Sequence, residues 1–185
     1  MVKAVVFDRD GTLVKYGAYL YKPEDMVIYS GVFDACRLLQ DHGIHLFIAT
    51  NQSGIARGYF SEQDYLAVQN YIERLFASNG IDIQKTYYCP FHPVHGIGQY
   101  KKESNDRKPN PGMIQSIMND FNFLPHDVVM VGDSTVDVEA AKNAGVSSAL
   151  VRTGNGVETE SKLTFQPSYI GDDVNDVVLN YILKP

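Results

Sequence analysis

Short apolar runs alternate with helical patterns along this chain. Runs rich in β-branched and other apolar residues predict strands at 3–7, 44–49, 83–88, 128–131 and 148–151, with an edge strand at 169–170. Apolar residues at helical spacing predict helices at about 32–42, 61–79, 110–119, 138–144 and 174–183. Because this alternation is typical of βαβ units, we expect an α/β fold with a mainly parallel central sheet.

The first predicted strand ends in two carboxylates, Asp8 and Asp10, followed by Gly11. Their spacing turns both side chains to one side, where two like charges at short range do not both ionise easily. One carboxyl group then tends to hold a proton, and the other needs a cation. This pair suits covalent phosphoryl transfer, with Asp8 as nucleophile beside a divalent metal and Asp10 as general acid and base. An acidic loop after a buried strand is the alternative interpretation.

Two more polar clusters directly follow predicted strands, at residues 50–53 and 132–137, and Lys108 ends a long loop. In open parallel sheets, ligands bind in the crevice beyond the carboxyl ends of the strands. We therefore expect these clusters to meet the two carboxylates of the first strand. A third polar stretch, residues 154–156, is interpreted only as a turn.

The chemistry of these clusters is complementary. Asp8, Asp133 and Asp137 offer hard oxygen ligands of the kind that Mg²⁺ prefers. Thr50 and Asn51 have groups that donate to phosphate oxygens, and Lys108 is a point cation. Since phosphoryl transfer is catalysed largely by positioning and charge neutralisation, the set is sufficient in kind for phosphoryl transfer.

Length and composition fit one globular domain spanning residues 1–185, with 44% hydrophobic residues. The net charge of −6 argues against non-specific nucleic-acid binding, so an acidic substrate needs a local site. The two cysteines give no disulfide framework, and neither a signal peptide nor an apolar span of about 20 residues is found. We expect a cytoplasmic monomer without a membrane or nucleic-acid partner.

The motifs resemble those of the haloacid dehalogenase superfamily of Mg²⁺-dependent phosphatases. Its four signatures are matched, in order, by Asp8-Arg-Asp-Gly-Thr12, Thr50-Asn51, Lys108 and Gly132-Asp133-Ser-Thr-Val-Asp137. Further stretches resemble the D-glycero-D-manno-heptose 1,7-bisphosphate phosphatases and the related histidinol-phosphatase domain: Thr50 to Gly58, Tyr87-Tyr-Cys-Pro and Arg107-Lys-Pro-Asn-Pro-Gly-Met113. The resemblance covers nearly the whole chain and implies a Rossmann-like three-layer sandwich.

The resemblance also implies a role for each matching residue. Asp8 is the nucleophile and Asp10 the general acid and base. The transferring phosphate is bound by Thr50 or Ser53, together with Asn51 and Lys108. Mg²⁺ is coordinated by Asp8, Asp133 and the carbonyl of Asp10, and Asp137 is a secondary acidic residue. Arg57 and Arg107 face the remaining polar groups of the substrate.

One departure concerns a structural zinc site that these relatives carry on the long loop, written Cys-x-His followed by Cys-x-Cys. Cys89 matches, but Phe91, Ser104 and Asp106 occupy the other three positions. Tetrahedral structural zinc wants four Cys or His ligands, so we expect the zinc to be absent. A substitute set stays open, drawn from Cys89, His92, His95 and Asp106.

The intervals between the motifs are too short for a separate cap domain, since independent domains usually need about 50 residues or more. Residues 89–107 and the tyrosine-rich segment 16–29 are therefore expected to select a small phosphorylated sugar or metabolite. The resemblance ranks heptose 1,7-bisphosphate first, with loss of the 7-phosphate. Histidinol phosphate and other sugar phosphates follow.

Two interpretations from other classes stay open. One is a phospho-ligand binding module that keeps the fold without turnover, because fold alone does not fix function. The other is a signalling receiver domain, which also places aspartates at strand ends with Mg²⁺. The Asp8-x-Asp10 pair with Lys108 fits a phosphatase better than either.

Overall fold

The structure is a computed structural model that describes residues 1–15, 17, 19 and 21–184. Its centre is a six-stranded parallel sheet in the order β3-β2-β1-β4-β5-β6. The strands are β1 (Ala4–Phe7), β2 (His45–Asn51), β3 (Ile83–Cys89), β4 (Val128–Gly132), β5 (Ser147–Val151) and β6 (Tyr169–Gly171). The helices are α1 (Val32–Asp41), α2 (Ser53–Ala56), α3 (Glu62–Ser78), α4 (Gly112–Phe121), α5 (Thr135–Ala144), α6 (Gly156–Glu160) and α7 (Val174–Val177).

Successive residues of β1 face opposite sides of the sheet, as the pleat of a strand requires. Val5 and Phe7 pack in a core that includes apolar residues of α1, α3 and α7. Ala4 and Val6 pack in a second core with residues of α4 and α5. The fold is therefore the expected three-layer α/β sandwich with a Rossmann-like parallel sheet.

Strand β1 lies in the middle of the sheet, between β2 and β4. Phe7 pairs in register with Ile48 on β2 and with Val131 on β4. Because the chain builds one side of the sheet before crossing to the other, β1 sits at the topological switch point where such sheets bind ligands. The residues that follow these three strands are thereby brought together.

Several predicted boundaries are corrected by the structure. The predicted loop after β2 contains the single turn α2. The turn predicted at residues 154–156 is present at residues 153–155 and leads directly into α6, which was not predicted. Both helices are too short to show a helical period in the sequence. Helix α4 begins at Gly112, with Pro111 at the cap position predicted for Asn110, whose side chain instead donates to the Ser104 carbonyl. The last predicted helix is α-helical only over α7 and continues as a π-helical turn, Val178–Ile182.

The capping box predicted for α3 is present, with Ser61 and Asp64 bonded reciprocally. No separate cap domain interrupts the sheet among the described residues, as expected. The proposal that residues 16–29 select the substrate falls in part on residues 16, 18 and 20, which lie outside the described residues. Within the part of the chain that the structure covers, no helix has both the length and the apolar character to cross a membrane.

Candidate active site

A cavity of about 160 Å³ lies at the carboxyl ends of β1, β2 and β4. Most of its lining is polar and comes from the clusters predicted to converge: Asp8, Asp10, Thr50, Asn51, Lys108, Asp133, Ser134, Val136, Asp137 and Asn155. The parallel register of the three strands explains this convergence, because each cluster lies at the carboxyl end of its strand or directly beyond it.

Lys108 occupies the floor of this cavity and is 2% exposed. Its Nζ donates to Asp8 Oδ1 at 2.7 Å, to Asp137 Oδ1 at 2.6 Å and to the Ala49 carbonyl at 2.7 Å. Burial disfavours the charged ammonium, but the charges of Asp137 and Asp8 outweigh it and raise the pKa of Lys108. The side chain is therefore a fixed cation at neutral pH.

Two residues hold Lys108 in place. The Asn51 side chain donates to the Lys108 carbonyl at 2.9 Å and accepts from its backbone N–H at 3.0 Å. Asp137 is the third residue of α5, and its Oδ2 accepts from the backbone and hydroxyl of Ser134 at 3.0 and 2.6 Å. Asn51 and Asp137 thus serve to position the lysine, a role that the sequence did not indicate for Asn51.

Asp133 is fixed from two sides. Its Oδ2 accepts the backbone N–H of Asn155 at 2.7 Å. Gly11 and Gly154 lie so close that a Cβ on either residue would overlap the Asp133 carboxylate, and both have positive φ. Burial, with the nearby charge of Asp137, raises the pKa of Asp133 to about 6. Glycine is required here because only a backbone without a Cβ approaches a carboxylate this closely.

The electrostatics of the cavity favour a divalent cation. Four carboxylates, those of Asp8, Asp10, Asp133 and Asp137, face the ammonium of Lys108, and the guanidinium of Arg9 pairs with Asp10. Burial, opposed by Lys108 and supported by Asp137 and Asp133, raises the pKa of Asp8 to about 8. Two more negative than positive charges remain if all these groups ionise, so ionisation of Asp8 needs further positive charge.

The ligand set fits Mg²⁺. Ligand oxygens of Asp8, Asp133 and Asp137 all lie within 4.8 Å of one another. Carboxylate and carbonyl oxygens are the ligands that this ion prefers. Because both oxygens of Asp137 already accept hydrogen bonds, Asp8 and Asp133, with the predicted Asp10 carbonyl, are the groups that would hold the ion.

Three of the predicted residues do not line the cavity. Ser53 is the first residue of α2. Arg57 and Arg107 meet the long loop instead: Arg57 Nη2 lies 3.4 Å from His92 Nε2, and Arg107 Nη1 donates to the Phe91 carbonyl at 3.2 Å.

Sequence reasoning missed three residues that shape the site. Asn155 lines the cavity, while Arg9 and Gln52 contact the Asp10 carboxyl group. Arg9 lies within the motif of residues 8–12 and Gln52 within the stretch 50–58, so their positions in the sequence could have indicated a role in the site. Asn155 follows β5, so its position after a strand end was the same signal that identified Asp133.

Comparisons with known proteins agree with this geometry. The HAD-hydrolase-like family model matches residues 105–177. The D-glycero-beta-D-manno-heptose-1,7-bisphosphate 7-phosphatase of Vibrio cholerae is 41% identical over 186 residues, which cover 100% of this chain and 98% of that protein. The enzyme of the same name from Haemophilus ducreyi is 40% identical over 183 residues, with coverage of 98% and 94%.

A solved structure gives the same picture. The crystal structure of D,D-heptose 1,7-bisphosphate phosphatase from B. bronchiseptica, complexed with magnesium and phosphate, superposes with a TM-score of 0.85. It is 30% identical in sequence and covers 96% of each chain. The chain therefore belongs to the HAD-like hydrolases, in the family of the heptose 1,7-bisphosphate phosphatases.

Proposed function

We propose that this protein is a Mg²⁺-dependent phosphatase that removes the 7-phosphate of D-glycero-D-manno-heptose 1,7-bisphosphate through an aspartyl phosphate on Asp8. The observation that carries the proposal is the buried contact between Lys108 and Asp8 in a cavity that Asp10, Thr50 and Asp133 also line. A binding module without turnover would need neither a nucleophile in contact with a cation nor a second carboxyl group beside it. The names of the relatives supply the substrate.

The residues of the cavity account for each part of the reaction. The Asp8 carboxylate attacks phosphorus, and the bond from phosphorus to the sugar oxygen breaks. Asp10 gives a proton to that oxygen and later takes one from the water that hydrolyses the aspartyl phosphate. The hydroxyl of Thr50 donates to the transferring phosphate, and the positive charge of Lys108 stabilises it through space. When bound, Mg²⁺ supplies the positive charge that Asp8 and the phosphate oxygens need.

A cluster of donors beside the long loop supports a substrate with a second phosphate. His92 Nδ1 accepts the backbone N–H groups of Val94 and His95 at 3.2 and 3.0 Å, so a neutral ring carries its hydrogen on Nε2. That nitrogen faces Arg57 Nη2, which also only donates. The Nε of Arg57 is buried without a partner among the described residues. Burial and the nearby Arg107 and Arg57 lower the pKa of His92, which keeps the ring neutral. These donors lack an acceptor that a phosphate would provide.

The test is phosphate release with Mg²⁺ from heptose 1,7-bisphosphate and from a small phosphomonoester such as glycerol 1-phosphate. The wild type is expected to prefer the bisphosphate and to release one phosphate from it. Arg107→Ala should lower kcat/KM for the bisphosphate about 10- to 100-fold, the scale of one lost charge-assisted contact, and change the monoester little.

Arg74→Ala, on α3 and outside the cavity, is the matched control and should leave both rates unchanged. Equal losses on both substrates for Arg107→Ala would remove Arg107 from substrate recognition. Faster hydrolysis of histidinol phosphate than of the bisphosphate would replace the proposed substrate.

We further propose that the long loop carries no structural zinc. Burial raises the pKa of the Cys89 thiol, which disfavours the thiolate that would bind zinc. Phe91 packs beneath the ammonium of Lys102, which lies 3.9 Å from the ring centroid. The Nδ1 of His92 is occupied by backbone amides. These contacts give the loop an ordering that needs no metal.

The purified protein is therefore expected to contain less than stoichiometric zinc by elemental analysis after dialysis. EDTA should stop phosphate release, and Mg²⁺ alone should restore it fully, because the metal needed is the one held by carboxylates. Recovery that requires zinc, or one zinc per chain after dialysis, would contradict the proposal and direct attention to Cys89, His95 and Asp106 as ligands.

We also propose that residues 1–185 form a single domain. The support is that all six strands, from Ala4 to Gly171, belong to one sheet.

A further inference from the structure

The carboxyl group of Asp10 is held by two side chains through one oxygen. Arg9 Nη2 lies 2.9 Å from Asp10 Oδ2, and Arg9 Nε donates to the same atom at 3.1 Å. Gln52 Nε2 also donates to Oδ2, at 2.9 Å. The other oxygen, Oδ1, is buried and has no hydrogen-bond partner among the described residues. The side-chain hydrogen bonds that fix this carboxyl group therefore come from Arg9 and Gln52.

Both donors are themselves immobilised. Arg9 is 1% exposed, and its guanidinium lies 5.5 Å from the ring centroid of Tyr65, a buried residue of α3. Gln52 is 4% exposed and donates to Thr50 Oγ1 at 2.9 Å as well as to Asp10. A charged side chain buried this deeply is costly unless it is paired, and the Asp10 carboxyl group is the partner that Arg9 contacts. The buried guanidinium of Arg9 therefore serves to orient the Asp10 carboxyl group.

We propose that Arg9 and Gln52 are positioning residues for the proton transfers of Asp10. This inference rests on the phosphatase activity proposed above. Asp10 enters the first step as a protonated carboxyl group: the oxygen–phosphorus bond to the sugar breaks as the Asp8–phosphorus bond forms, and the proton of Asp10 moves to the sugar oxygen. In the second step water attacks the aspartyl phosphate, its proton returns to Asp10, and the Asp8–phosphorus bond breaks. Both transfers need the carboxyl group within hydrogen-bond reach of the reacting oxygen.

The leaving group separates this role from a structural one. A sugar alkoxide is a poor leaving group and needs the proton, whereas 2,4-dinitrophenolate leaves without one. The value of kcat/KM covers the steps up to formation of the aspartyl phosphate, so it reports the first transfer alone. A loss of fold, or of the Thr50 contact that Gln52 also makes, lowers kcat/KM for both substrates by the same factor. Only a misplaced acid lowers kcat/KM for the sugar phosphate more than kcat/KM for the dinitrophenyl ester.

The experiment compares heptose 1,7-bisphosphate with 2,4-dinitrophenyl phosphate for the wild type and for Gln52→Leu. Correct positioning of a general acid contributes about 10²- to 10⁴-fold, and one of two holding side chains is lost. We therefore expect kcat/KM for heptose 1,7-bisphosphate, divided by kcat/KM for 2,4-dinitrophenyl phosphate, to fall about 10- to 100-fold in Gln52→Leu. Gln69→Leu is the matched control, since Gln69 is also 4% exposed but bonds to Glu73 and Thr86 on α3 and β3. It should leave the ratio unchanged.

Arg9→Lys and Arg9→Met form the second test. Lysine keeps a cation beside Asp10 with fewer fixed donors, so it should lower the ratio less than methionine does. An unchanged ratio in Gln52→Leu and in Arg9→Lys, with the wild type active on both substrates, would overturn this inference alone. A wild type that hydrolyses neither substrate would overturn the proposed phosphatase activity, and the inference with it.

Discussion

Asp8→Asn is expected to abolish turnover. A carboxamide cannot form the aspartyl phosphate, so phosphate release should fall by about 10⁴-fold or more, the scale seen when a catalytic nucleophile is removed. The overall fold should persist, because the carboxamide still accepts the hydrogen bond that Lys108 gives to Asp8 Oδ1. Phosphate release and circular dichroism, measured on the same preparation, check both statements.

The matched control is Asp127→Asn. Asp127 is 2% exposed and precedes β4 at the opposite end of the sheet, where it pairs with Lys3. Its replacement should leave kcat unchanged in protein that remains folded. Turnover retained by Asp8→Asn would remove Asp8 from the role of nucleophile.

The same variant is expected to change how stability depends on pH in EDTA. The pKa of Asp8 is raised from 3.8 to about 8 in the folded protein, chiefly by burial. The folded state then binds a proton more tightly than the unfolded chain, so this group lowers stability progressively as the pH rises from about 4 to 8. Asparagine removes that loss. The free energy of unfolding of Asp8→Asn minus that of the wild type should therefore increase as the pH rises across this range. A difference that decreased with rising pH would contradict the raised pKa of Asp8.

Lys108→Met is the second change with a large expected effect. It leaves the carboxylates of Asp8 and Asp137 and the Ala49 carbonyl buried without their shared donor. Breaking a buried ion pair by removing one partner costs about 3 to 5 kcal/mol. We expect a loss of unfolding free energy of that order in EDTA, measured by denaturant titration, together with a large loss of phosphate release. The loss of stability should be smaller at pH 5 than at pH 8, because a carboxyl group that takes up a proton no longer needs the cation.

Lys85→Met supplies the comparison for a surface pair. Lys85 contacts Asp120 at 2.8 Å, but both side chains are largely solvated, so little stability depends on them. Adding Asp137→Asn to Lys108→Met should recover part of the lost stability, because one of the unpaired charges disappears. Equal destabilisation by Lys108→Met and Lys85→Met would mean that the ammonium does not hold the site together.

The sequence was sufficient for those features that a pattern or a motif defines. The six strands were found because apolar runs mark buried parallel strands, and Asp8, Lys108 and Asp133 were found because each follows a strand or carries an unmistakable chemical group. Helices α2 and α6 were missed because one turn shows no periodicity. The hydrogen bond from the Asn51 side chain to the Lys108 carbonyl joins two segments that lie 57 residues apart, so no local sequence pattern predicts it.

The residues around Asp10 show the same limit from another side. Arg9 lies between two acids in the sequence, yet it is 1% exposed, and its guanidinium lies 5.5 Å from the ring centroid of Tyr65 on α3. That burial depends on how α3 packs against the sheet, which no local pattern encodes. Gln52 likewise reads as a loop residue, and its two hydrogen bonds are set by the direction in which the chain leaves β2.

The long loop between β3 and α4 is attached at both of its ends to Asn51, and at its first end also to Gln52. Cys89 pairs in register with Asn51, and its carbonyl accepts the Gln52 N–H at 2.8 Å, while the Asn51 side chain grips Lys108. The stretch between these contacts, residues 90–107, makes further hydrogen bonds to α2 and α3, from Ile97 to Ala56 and from Tyr100 to Glu62. Because Asn51 holds the Lys108 backbone directly, substitutions within residues 90–107 are expected to leave the lysine in place.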